Sequence, residues 1–101
     1  LRIDPAMDVC MCKILEMTFN GERVPLQKRK VMITNGRVAK GQEEDDVYRP
    51  IIVFPTADPN INIGISELQV KPTNTLYAKL EVARLPLKMA QDMAAAVKKI
   101  F

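Results

Sequence analysis

Up to Val82 the apolar residues of this chain recur mostly at every second position, and after Pro86 they recur every three or four. A period of two belongs to a strand with one face on a core, and a period near 3.6 belongs to a helix. The chain is therefore expected to be mainly β with one C-terminal α-helix. Ala90, Met93, Ala94, Val97, Ile100 and Phe101 fall on one helical face. A stripe so apolar has to lie over a sheet or plug the mouth of a barrel. Pro86 suits the first turn, where its missing N–H is not needed. Lys98 and Lys99 complement the negative end of the helix dipole.

The alternating part divides into seven strands. Residues 1–8, with Asp4-Pro5, read as a lead-in. The first strand is Val9–Phe19, with Val9, Met11, Leu15, Met17 and Phe19 on one row. Lys13 interrupts that row, which predicts a bulge or a barrel rim. Asn20-Gly21 turns the chain into a second strand, Val24–Thr34. There Val31 and Ile33 share a face with Arg29, which places Arg29 at a rim, where its charge stays solvated. Thr34-Asn35-Gly36-Arg37 then carries the strongest short hairpin signal, two residues suited to the positive φ of a type I′ turn. It predicts pairing of the second strand with a third, Arg37–Lys40.

Gly41–Asp46, GQEEDD, reads as a solvated acidic loop. Val47–Phe54 is the fourth strand, with Pro50 marking an irregular or edge position. Ile61, Ile63 and Ile65 give the fifth. The phase flips near Ser66, so Leu68–Val70 is taken as a sixth strand. Lys71–Asn74 is a turn, and Leu76–Val82 is the seventh strand.

A length of 101 residues fits a single domain, residues 1–101, large enough to bury a core without staples. The formal net charge of +3 favours contact with an anionic surface without implying nucleic acid. Two Tyr, three Phe and no Trp argue against a base-stacking platform on the sheet. Cys10 and Cys12 are adjacent on one strand face. They are poorly spaced for a disulfide with each other, and no His or third Cys completes a metal site. Small buried thiols in a reducing, intracellular compartment are expected, with no metal and no cofactor. The lack of His removes the commonest general base, Ser66 stands without a motif, and phosphate-binding glycine loops are absent. No catalytic residues are assigned, and an enzyme is not expected.

Seven antiparallel strands followed by one amphipathic helix resemble the pleckstrin-homology fold, a bent β-sandwich or nearly closed barrel capped by its C-terminal helix, here residues 86–101. The closest local likeness is Gln27–Lys40, QKRKVMITNGRVAK, which is similar to the family's second and third strands. Asp92–Val97 resembles its final helix, with Met93 where the family has a nearly universal Trp. In lipid-binding members a Lys late in the first strand and a basic-x-Arg pair in the second clamp phosphates. Carried onto this chain, Arg29 takes the Arg position, Gln27 stands where the preceding cation would be, and Lys13 falls about six residues too early.

The resemblance thus implies a non-catalytic interaction or scaffold module that makes protein–protein contacts at a membrane-associated structure. The small acylated pleckstrin-homology-like scaffolds of the apicomplexan inner membrane complex are of this type. Any membrane signal would lie upstream of Leu1. The alternative is phosphoinositide or anionic-lipid binding by Lys13, Lys28, Arg29, Lys30, Arg37 and Lys40. A homo-oligomer through an open strand edge is the third expectation.

Overall fold

The computed structural model describes residues 1–44, 47–64, 66 and 68–98, the side chains of residues 40–44 and Lys98 excepted. Its larger sheet is assembled on one long strand. In β2 (Cys10–Phe19), Cys10, Cys12 and Ile14 are buried, and Met11 and Lys13 lie on the other face. The register then slips between Ile14 and Glu16. That irregularity returns Met17 and Phe19 to the buried side. The expected bulge is present, but the row ahead of it has the opposite phase. Val9 and Met11 belong to a second apolar cluster on the outer side, and Lys13 interrupts nothing.

β8 (Leu76–Arg84) pairs antiparallel with β2 from end to end, skipping only Leu15. The other edge of β2 is shared. β6 (Val47–Phe54) pairs with Cys10–Lys13, and the short β3 (Glu22–Arg23) pairs with Thr18 and Phe19. β5 (Arg37–Glu44) lies beyond β6, with a register shift between Ala39 and Gln42. Pro50 sits opposite that shift, where the ladder is already irregular and a missing N–H is tolerated. β5 extends through Glu44, so the first four residues of the expected acidic loop are strand. Asp45 and Asp46 are outside the described residues.

The smaller sheet has the order β1 (Arg2–Ile3), β7 (Ile61–Ile63), β4 (Met32–Thr34). The lead-in thus contributes a strand. One core cluster joins the sheets: Cys10, Cys12, Ile14, Met17 and Phe19 with Ile52 and Phe54 from the larger, Ile61 and Ile63 from the smaller. The described residues form eight strands rather than seven. Leu68–Val70 is not one of them, since Leu68 packs on the core from a non-strand segment and Val70 is exposed. Ile65 lies outside the described residues.

The two Asn-Gly pairs behave differently. Asn20 (φ 53°) and Gly21 (φ 82°) make the expected turn, but it leads directly into β3 at Glu22–Arg23 rather than into a strand over Val24–Thr34. Asn35 and Gly36 have no positive φ, and β4 and β5 do not pair. The chain instead crosses there from the smaller sheet to the larger. Asn35 uses its side chain: Nδ2 donates to the Asp58 carbonyl at 2.8 Å, and Oδ1 accepts from the Asn60 N–H at 3.0 Å. The Thr34 hydroxyl donates to the Asn60 carbonyl at 2.7 Å. These bonds fasten the crossing to the 55–60 loop and replace the expected hairpin.

The helix α1 (Leu87–Lys98) lies on the outer face of the larger sheet. Ala90 and Ala94 are buried against Val9 and Val53, with Met11, Leu85 and Met93 around them. The expected stripe is the buried one as far as Val97; Ile100 and Phe101 lie outside the described residues. The Ala90 N–H donates to the Pro86 carbonyl at 3.0 Å, which puts Pro86 one position ahead of the first turn. Among the described residues no helix is long and apolar enough to cross a membrane.

Candidate functional site

The run expected to be the second strand is mostly turns. Val24 and Leu26 are buried on either side of Pro25. The Lys28 N–H donates to the Pro25 carbonyl at 3.1 Å, and the Lys28 carbonyl accepts from Val31 at 3.0 Å and Met32 at 3.3 Å. The backbone groups of this stretch are thus partly satisfied locally. Lys28, Arg29 and Lys30 are all exposed in succession, which a strand with one buried face would not permit. Val31 is buried but not in a strand, and on β4 it is Met32 that packs inward while Ile33 is 61% exposed. Arg29 therefore does not share a strand face with Val31 and Ile33.

The basic turn is held from behind by Gly64. Its N–H donates to the Val31 carbonyl at 2.8 Å, and a Cβ there would meet the Lys30 carbonyl oxygen at 2.6 Å. Only a residue without a side chain lets the turn sit that close to the end of β7.

In front of the turn is a groove of about 570 Å³. Leu26, Met32, Val38, Tyr48 and Val97 give it apolar walls, and Lys28, Arg29 and Arg37 supply positive charge. The groove thus joins the basic turn, the start of β5, the start of β6 and the last described turn of α1. None of the three cations makes an ion pair with a described residue. Among the described side chains, no carboxylate, serine, threonine or cysteine lines the groove. A smaller hollow of about 210 Å³ adjoins it, opened where the edge of β2 passes from β6 to β3. Leu26, Gln27 and Tyr48 line both. At the split, the Arg49 Nε donates to the Leu15 carbonyl at 3.2 Å.

Of the six cations named from sequence, Lys28, Arg29 and Arg37 come together. Lys30 is exposed on the same turn but does not line the groove. Lys13 is elsewhere, beside Ile51, Glu81 and Val82 on the outer face, directly opposite Ile51 and Glu81 in the ladders. The Lys40 side chain is outside the described ones. The sequence reading missed Tyr48, Val38 and Val97. Nothing in the linear order brings Val97 to Lys28, and only the placement of the helix does.

The thiols are no part of the groove. Cys10 and Cys12 are free and buried. Burial, with Asp8 adding to it, pushes the Cys10 thiol up. Burial, with Cys10 beside it, pushes Cys12 up to about 11. Both remain protonated at neutral pH and are poor nucleophiles.

Compared with protein-family models, curated proteins and solved structures, the chain matches none.

Proposed function

We propose that this chain is a non-catalytic interaction module of pleckstrin-homology-like type, whose groove receives a protein segment carrying an apolar anchor flanked by acidic residues. The observation that carries this reading is the groove itself: apolar walls and three cations without an ion-pair partner among the described residues, and no nucleophile or carboxylate among its described side chains. Apolar walls supply affinity by burial. Arginines placed beside them favour carboxylates, which they hold in bidentate geometry. An inositol phosphate would want its cations converging on one small volume. The separation of Lys13 from the groove and the neutral Gln27 within it argue for the protein segment instead.

Fluorescence anisotropy with labelled peptides tests this. Peptides with Leu or Phe among Asp and Glu should bind with an affinity that falls as salt rises, and Arg29→Ala or Arg37→Ala should weaken them. Equal binding of neutral and acidic peptides would refute the reading. A second reading rests on the exposed sequence Lys28-Arg29-Lys30 at the tip of a turn, which suits an anionic membrane surface. There each nearby cation contributes on the order of 1 kcal/mol. Sedimentation with phosphoinositide liposomes at low salt, comparing wild type with Lys28→Ala and Arg29→Ala, decides it. A wild-type chain left in the supernatant ends that reading.

A further inference from the structure

β8 is an open edge. Its nine residues pair with β2 on one side, and no described strand pairs with the other. No proline or bulge blunts it, and it carries two exposed apolar side chains, Tyr77 at 49% and Val82 at 42%. Such an edge is a template for another strand. We propose that it pairs antiparallel with β8 of a second copy, about a two-fold axis at Leu80, to give a homodimer with one continuous sheet.

The charge order along the strand argues for this occupant and for this register. In LYAKLEVAR, Leu80 is the middle residue, with Lys79 before it and Glu81 after. Antiparallel pairing centred on Leu80 sets Lys79 of each copy against Glu81 of the other. It also sets Ala78 against Val82, Tyr77 against Ala83 and Leu76 against Arg84, so all nine residues are paired. A register centred on Lys79 would oppose two lysines, and one centred on Glu81 would oppose two glutamates. A centre between residues would set the inward row of one copy against the outward row of the other.

The pattern continues inward. Lys13 lies opposite Glu81, and Glu16 lies opposite Lys79, within each chain. Across the four central strands of the dimer the order becomes Lys13, Glu81, Lys79, Glu16, alternating in sign throughout. On the other face Ile14 and Leu80 of one copy meet Leu80 and Ile14 of the next. Oppositely charged and apolar cross-strand pairs are the units that stabilise such a ladder.

Sedimentation velocity over a concentration series tests the proposal. The wild-type chain, of 11.4 kDa, should move to twice that mass as concentration rises. Lys79→Glu and Glu81→Lys should each remain monomeric, because each opposes like charges at two places. An equimolar mixture of the two variants should form a heterodimer, because every such pair is then opposite in sign, and misfolded chains could not produce that result. If a variant fails to fold, Leu80→Cys replaces it: oxidation should link two copies through residue 80. A wild type monomeric at every concentration would overturn the proposal. So would single variants that dimerise like wild type, a mixture that stays monomeric while wild type dimerises, or no cross-link at residue 80.

Discussion

A Cβ placed on Gly36 would stand 2.5 Å from the Cγ2 of Ile52, and 2.7 Å from the Cδ1 of Phe54. Both neighbours are fully buried, so neither has room to retreat. Gly36→Ala should therefore destabilise the fold by about 1–3 kcal/mol, the usual range for overpacking. Urea unfolding gives the comparison, and a midpoint equal to that of wild type would rule out the close contact. Gly21→Ala should also destabilise, for a different reason: its φ of 82° is strained for any side chain, although nothing lies within 4 Å of the added carbon.

Asn35→Ala should cost about 1–2 kcal/mol, because two hydrogen bonds to the 55–60 loop are lost. The Asn60 amide should also exchange faster with solvent than in wild type. Unchanged exchange at Asn60 would mean that the loop holds itself.

The groove predicts a division among the cations. Arg29→Ala and Arg37→Ala should each weaken acidic-peptide binding by roughly 3- to 10-fold, the about 0.7–1.4 kcal/mol of an ordinary net hydrogen bond at a solvent-exposed site. Lys13→Ala should leave that binding unaltered, since Lys13 lines a different hollow. Equal losses at all three positions would point to diffuse attraction rather than a groove.

The buried thiols predict a pH dependence. Unfolded cysteine loses its proton near 9.0, and folded Cys12 keeps it to about 11. The folded state therefore binds more protons in that window, and its stability should fall as pH rises from 9 to 11. The loss from this group would reach about 2–3 kcal/mol, and below pH 9 none is expected. Chemical denaturation across that range measures it. A thiol reagent at neutral pH should label neither cysteine until the chain unfolds; prompt labelling of the native protein would contradict their burial.

Sequence periodicity foretold the long elements because their side chains report directly on one buried face. Leu76, Ala78 and Leu80 pack on the core and Tyr77, Lys79 and Glu81 are exposed, as alternation requires. The bulge in β2 was also legible, though Met11 looked like core of the main cluster because an apolar residue reads alike on either buried face. The helix covers one face and the smaller sheet the other, and period alone cannot separate the two. Asn35-Gly36 misled for a further reason. Its residues make side-chain bonds and close packing with distant segments, and a turn signal is local. The groove was half legible: the cations stand out, while the walls come from four separate stretches.

β2 touches a partner at each end of the chain's history. β3 follows it within a few residues, β6 comes some thirty later, and β8 arrives only at Leu76–Arg84. No early segment can thus complete the larger sheet, and a chain still being synthesised would carry β2 with one edge bare. Folding should be governed by these distant closures, on the millisecond-to-second scale of β-rich domains. Removing the region from Leu76 onward should leave no stable remnant, since the strand that pairs with β2 along its length, the bulge at Leu15 excepted, would go with it.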